Sequence, residues 1–394
     1  MITKLVNGKI IVHDSIISGY SLYVEDEKIL GIFNDNAPAS PKADAEIDAK
    51  GKFISPGFVD IHTHGAGGSD FLDCEVEGYL IAAKTHAEHG TTSLCPTTTS
   101  GEYSELLSTF DSYREAKKKN DCGADFLGLH LEGPYFAMSQ KGAQDEKYVR
   151  DFDKEEYLDI LEKGKGDIVR WSAAPELPGA VEFAETLSAV GVLPSIGHTD
   201  ASEDDVSEAF EAGFTHVTHL YSCTSGVHRK NAKRYAGVIE MAYLLDGMTV
   251  EIIADGIHLP ATLLKLIYKI KGADNIALVT DSMRGAGMPE GMSILGSKKN
   301  GLEVVIEDGV AKMPDRTCFA GSVATMDRLV RNMINLAGVS LTDAVKMATE
   351  TPAKIIGAYS KGVLERGMDA DVIMFDENIN VSFTMVKGRV IFSE

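Results

Sequence analysis

Short apolar runs recur along the middle of the chain, and between them the apolar residues fall into helical spacing. The runs occupy 58–61, 92–95, 126–131, 168–173, 193–196, 215–218, 250–254 and 276–279. Continuous apolar runs of this length suit strands buried on both faces, whereas half-exposed strands alternate apolar and polar positions. The segments 76–89, 103–119, 154–163, 180–190, 202–212 and 260–271 place apolar residues three and four apart, which predicts helices. Eight such units predict a parallel (β/α)8 barrel of the TIM type more readily than an open sheet. A hairpin inserted near 293–315 is expected before further helices at 322–337 and 341–349.

The two ends read differently. Short β runs at 9–12, 21–24 and 29–33 are punctuated by turns and by a polar, proline-containing connection over 34–41. The same character returns at 372–375 and 383–391. A small β-sandwich domain formed by both termini, 1–52 and 359–394, is therefore expected to flank a catalytic barrel over 53–358.

Composition narrows the function classes. A hydrophobic content of 44% with 25% charged residues suits a globular chain with ample core. Thirty-eight Lys and Arg against 59 Asp and Glu leave a net charge of −21, which argues against nucleic acid or an anionic membrane as a partner. An anionic substrate would need a local basic patch. Such a patch exists at 228–234, where four of seven residues are Lys or Arg. The five cysteines, Cys74, Cys95, Cys122, Cys223 and Cys318, lack C-x-x-C spacing and read as reduced thiols. With no apolar leader and no stretch long enough to span a bilayer, the expected location is cytoplasmic.

The chemistry gathers where barrel strands end, the face at which such barrels carry their sites. His62 and His64 close the first run and share a strand face. Glu132 ends the third, His198 the fifth, His219 the sixth, His258 the seventh and Asp281 the eighth. An H-x-H pair alone also arises from core histidines; a series of titratable groups at one register is a different matter. Imidazoles and carboxylates without thiolate suit a divalent metal such as zinc, iron, manganese or cobalt. Glu132, His198 and His219 would supply three ligands and leave a position for water. His62 and His64 could hold a second ion, with Glu132 and Asp281 near enough to share, so one or two ions per chain are expected. His216 falls on the opposite strand face from His219 and reads as structural, while His130 sits deeper than Glu132. His13, His86, His89 and His228 read as surface or core groups.

Several stretches carry a resemblance. They are Pro56-Gly57-Phe58-Val59-Asp60-Ile61-His62-Thr63-His64-Gly65, Leu129-His130-Leu131-Glu132-Gly133-Pro134-Tyr135, Ser195-Ile196-Gly197-His198-Thr199, Thr218-His219-Leu220-Tyr221, Ile253-Ala254-Asp255-Gly256-Ile257-His258 and Val279-Thr280-Asp281. With the returning Gly362-Val363-Leu364-Glu365-Arg366-Gly367, they make the chain similar to the amidohydrolase superfamily, and within it to the N-acetylglucosamine-6-phosphate deacetylase family. Glu132 stands where many members of the superfamily carry a carboxylated lysine.

The resemblance implies Asp281 as catalytic acid/base, His258 as a contact to the substrate's acetamide, and a phosphorylated amino sugar as substrate. It also implies a homodimer in which Arg229 reaches the neighbouring subunit's site, with Arg234 as an alternative because the loop carries an apparent insertion. Some relatives lack the H-x-H pair and bind one ion. Departures fall at sugar-binding positions: Ala143-Gln144 where the family's Lys-Gly-x-His ends in histidine, Ser222-Cys223 where it has Asn-Ala, and Phe319-Ala320-Gly321 where it has Leu-Ser-Gly. The expected reaction is removal of acetate from N-acetylglucosamine 6-phosphate. The rivals are another N-acetylhexosamine phosphate such as the galactosamine epimer, a cyclic amide, or a metal-binding barrel without catalysis.

Overall fold

The computed structural model describes residues 1–36 and 40–394; of the expected connection over 34–41, residues 37–39 lie outside the described residues. Parallel strands pair in chain order around a barrel: β1 (Phe58–Thr63), β2 (Thr91–Thr98), β3 (Leu129–Glu132), β4 (Ile168–Ala173), β5 (Leu193–Ile196), β6 (His216–Val217), β7 (Thr249–Ile252) and β8 (Ile276–Leu278). Beyond the end of β8, Asp281 N donates to His62 O at 2.8 Å and Thr63 bridges to Ser282, which draws the last strand to the first. The third apolar run divides into Asp125–Phe126 and β3. Gly128 separates them at φ +154°, where a Cβ would lie 2.2 Å from Val169, so the strand cannot run through.

The helices of the outer ring are α1 (Val76–Glu88), α2 (Tyr103–Lys119), α3 (Lys154–Lys163), α4 (Ala180–Ala189), α5 (Glu203–Ala212), α6 (Val238–Leu244), α7 (Ala261–Lys271) and α8 (Met326–Asn332). Their ends follow local chemistry. Ser202 accepts from Asp205 N while Asp205 accepts from Ser202 N, a reciprocal cap that starts α5, and Gly213 at φ +117° stops it. The buried stripe of α5, Val206 and Ala209, faces the barrel core. The short α6 was not expected from the sequence; it lies just beyond the basic segment, which masks its seven-residue periodicity. Among the described residues, no helix is long and apolar enough to cross a membrane.

Both termini build sheets outside the barrel. One has six strands, including Phe53–Pro56 between Lys9–Val12 and Val372–Phe375; the other has four, all from residues before 50. Leu5, Ile10, Leu22, Val24, Ile54, Val372, Met374 and Phe383 form a core between them. Because Phe53–Pro56 pairs with the terminal strands, the barrel opens at Phe58 and not at 53. Gly57 marks the break: a Cβ there would fall 2.1 Å from Thr92. Lys361, almost wholly buried, joins the layers by meeting Asp371 at 2.8 Å, Asp369 at 3.0 Å and Asp125 at 3.2 Å.

The insertion near 293–315 is larger than the expected hairpin. Gly291–Leu295, Leu302–Glu307, Val310–Lys312 and Phe319–Ser322 form a four-stranded antiparallel sheet. Its fourth strand holds Phe319, Ala320 and Gly321 and supplies part of the cavity wall described below.

Candidate active site

Glu132, the last residue of β3, is the hub of a buried polar cluster at the strand ends. Its Oε1 lies 2.9 Å from His219 Nε2 and 3.3 Å from His198 Nε2, and those two nitrogens are 3.2 Å apart. Its Oε2 lies 3.3 Å from His64 Nε2 and accepts from Gln144 Nε2 at 2.9 Å. Asp281 Oδ1 stands 3.1 Å from His64 Nε2 and 3.3 Å from His62 Nε2. Strand alternation sets up the pair: His62 and His64 point to the same carboxylates, while Thr63 between them turns to His86 on α1.

The backbone is bent to present these groups. His198, His219 and Asp281 hold φ of +49°, +28° and +45°, a region costly for residues with a Cβ and concentrated at functional sites. Carbonyls fix two of the rings: His198 Nδ1 donates to Gln140 O at 2.8 Å and His219 Nδ1 to Ser222 O at 3.1 Å. An Nδ1–H leaves Nε2 as the lone-pair nitrogen. His62 does the same through Glu251, whose Oε1 takes Nδ1–H at 2.6 Å.

Two overlapping donor sets result, His62/His64/Glu132 and Glu132/His198/His219, with atoms in each set within 4.8 Å of one another. His62 Nε2, which faces the carboxylates, is buried without a hydrogen-bond partner, which is unfavourable unless something else satisfies it. Electrostatics agrees. Burial alone would push His62 and His64 down, yet the surrounding carboxylates raise them to about 9 and about 10. Burial likewise opposes charge on Glu132 and Asp281, but the neighbouring imidazoles hold both below the usual carboxylate range. The cluster is built to hold positive charge, and its donors fit a divalent metal.

Above it opens a cavity of about 540 Å³, lined by His64, Glu132, His198, His219 and Asp281 on one side and by residues of the inserted sheet on another. His258 lines it too; its Nδ1 donates to Asp255 Oδ2 at 2.7 Å and its ring rests on Phe319. Ala143, Gln144, Ser222, Cys223, Phe319 and Gly321 also line the cavity, whereas Ala320 is enclosed in the core of the inserted sheet. Gln144 is held from both ends of its amide, since Oε1 accepts from Ser100 N at 2.8 Å and Nε2 donates to Glu132 at 2.9 Å.

Arg229 and Arg234 are not brought to this cavity. They face each other across an exposed hairpin, His228–Lys230 with Lys233–Tyr235. The cationic side chains that do line it, apart from histidines, are Lys312 and Arg316. Lys312 pairs with Asp308 at 2.8 Å and Arg316 with Glu307 at 3.1 Å. Sequence reasoning passed over both, because cations in a hairpin read as solvated. It also passed over Glu251, although a carboxylate inside an apolar strand is a signal. His216 is interior, bonded to Thr249 Oγ1 at 2.8 Å, and burial brings it down to about 4. His130 meets Ser172 Oγ at 2.7 Å and packs edge-on against His62, with ring centroids 4.6 Å apart.

Comparison with known proteins agrees with this geometry. The amidohydrolase family model matches residues 53–391. An N-acetylglucosamine-6-phosphate deacetylase of Lysinibacillus sphaericus is 34% identical over 358 residues, covering 88% of this chain and 87% of the relative. That of Bacillus subtilis is 32% identical over 389 residues, covering 97% and 95%. The crystal structure of N-acetylglucosamine-6-phosphate deacetylase from Pasteurella multocida superposes with a TM-score of 0.91 at 28% identity, over 100% of both chains. The chain belongs to the amidohydrolase family, within the branch that carries the N-acetylglucosamine-6-phosphate deacetylases.

Proposed function

We propose that this chain hydrolyses the acetamide of N-acetylglucosamine 6-phosphate, releasing acetate and glucosamine 6-phosphate in amino-sugar breakdown. The observation that carries the reading is Asp281 Oδ1 poised 3.1 Å and 3.3 Å from two imidazoles at the floor of a sugar-sized cavity. Similarity to deacetylases of that substrate, including a Mycobacterium smegmatis variant solved in complex with it, supports the choice of sugar.

Glu132, His198 and His219 would hold one divalent ion, and His62 with His64 and the shared Glu132 a second; zinc is our assignment, ahead of iron, manganese or cobalt. A bound ion of this kind is a Lewis acid that polarises a carbonyl and lowers the pKa of water from about 16 to about 7. Asp281 accepts the proton of the water as its oxygen bonds to the carbonyl carbon, and then returns that proton to the amine nitrogen as the C–N bond breaks. His258, held through Nδ1 by Asp255, would contact the substrate's acetamide.

For the phosphate we assign Arg229, delivered by the exposed basic hairpin into the cavity of a second copy, so that the working form is a homodimer. Support comes from the hairpin's exposure and from the absence of its residues from the lining of its own chain's cavity. A cytoplasmic location is supported by five free cysteines.

Acetate release from a panel of N-acetylhexosamines, each with and without 6-phosphate, tests the reading. The glucosamine 6-phosphate derivative should be the best substrate. Preference for the galactosamine epimer would trace to Ser222, Cys223 and Phe319, and no release from any member would exclude a deacetylase.

A further inference from the structure

Glu251 lies inside β7 with none of its side chain exposed. Its contacts run to several strands. Oε1 accepts from His62 Nδ1 at 2.6 Å and from the backbone N of His219 at 3.1 Å. Oε2 meets His216 Nε2 at 3.3 Å and accepts from the guanidinium of Arg170. Arg170, on β4, is equally buried and donates onward to Ser195 Oγ at 2.9 Å and Thr218 Oγ1 at 2.8 Å. Every charged atom of the pair is thus satisfied within the barrel interior.

Stability explains this arrangement poorly. A buried ion pair loses about as much in desolvation as it regains in attraction, and apolar replacements of similar volume are often neutral or better. What Glu251 does is touch one histidine of each donor set. One oxygen serves His62 through its ring and His219 through its backbone, and the second is tied to Arg170 so that the first cannot swing away. His219 needs that grip, since its backbone holds φ +28°.

We propose that Glu251 is a positioning residue for both donor sets, fixing His62 as the Nδ1–H form with Nε2 directed at Glu132 and Asp281 and pinning the strand end that carries His219. Arg170 keeps the carboxylate ionised and oriented. The inference rests on the divalent-metal reading above.

The test uses two variants of the full chain, Glu251→Gln and the paired Arg170→Met with Glu251→Leu. Cobalt(II) uptake by chelator-stripped protein is followed by absorption and metal analysis, beside thermal melting of the stripped protein. Loss of an outer partner of a ligating histidine typically weakens metal affinity about 10–100-fold. Both variants should show a weakening of that size, and the paired variant should melt within a few degrees of wild type. Wild-type cobalt affinity and stoichiometry in the paired variant would overturn the positioning role alone. Collapse of the stripped fold in both variants would mark the pair as structural and overturn it as well. A wild-type chain that takes up no cobalt would overturn the metal reading and this inference together.

Discussion

Replacing Gln144 with alanine removes two hydrogen bonds whose losses appear in different measurements. Gln144 is 5% exposed, so water does not replace what is lost. Its bond to Glu132 Oε2, 2.9 Å long, has a charged acceptor and contributes about 1.5–3 kcal/mol. Its bond from Ser100 N, 2.8 Å long, is neutral and contributes about 0.5–1.5 kcal/mol. The second loss falls on folding stability. The first falls on the site, because Glu132 can then rotate away from His198 and His219. If all of it reaches metal binding, affinity drops by about one to two orders of magnitude. Chelator competition with zinc would measure that drop, and urea unfolding of the stripped protein would measure the other term. Gln144→His, which restores the histidine usual in the family, should recover part of the affinity, since an imidazole N–H can also donate to Glu132. Unchanged zinc affinity in Gln144→Ala would refute the idea that Glu132 is oriented from this side.

Other outcomes follow from the same geometry. His62→Ala with His64→Ala should lower the metal-to-protein ratio from two toward one, because Glu132, His198 and His219 remain; a native chain that never exceeds one ion under excess metal contradicts the second site. Arg229→Ala or Arg234→Ala should cut the preference for phosphorylated substrate by about one to two orders of magnitude. If both keep the native preference, the hairpin is not the phosphate site, and Arg316→Ala becomes the in-chain variant to measure. Lys361→Met strands the buried Asp371 without its ion partner and should cost about 3–5 kcal/mol of stability, read as a lower urea midpoint; an unchanged midpoint would show the contact is dispensable.

The parallel barrel was legible because strands buried on both faces leave apolar runs of characteristic length, and the runs at 168–173 and 193–196 became β4 and β5 with the same limits. Long periodic helices were as clear: α2 and α3 occupy 103–119 and 154–163 as the periodicity indicates. Breaks inside apolar runs were not legible, since Gly57 and Gly128 act through close approach to Thr92 and Val169, which are distant in sequence or across a strand pair. The donor histidines could be found because each ends a strand. Gln144 stood out only as a departure at a sugar-binding position, and Glu251 was passed over although a carboxylate inside an apolar strand is a signal, because its role depends on His62, far along the chain. Arg229 stood out by local charge density, yet density says nothing of placement, and neither Arg229 nor Arg234 is among the residues lining the cavity.

The most direct measurement compares acetate release from N-acetylglucosamine 6-phosphate by wild type and Asp281→Asn at equal, measured metal content. Asparagine keeps the shape of the side chain but cannot shuttle a proton. Wild type should release acetate and free amine in equal amounts, and the variant should turn over about 10²–10⁴-fold more slowly with its metal retained. Near-wild-type turnover by metal-loaded Asp281→Asn would contradict the assignment of Asp281 as the acid/base at the centre of this site.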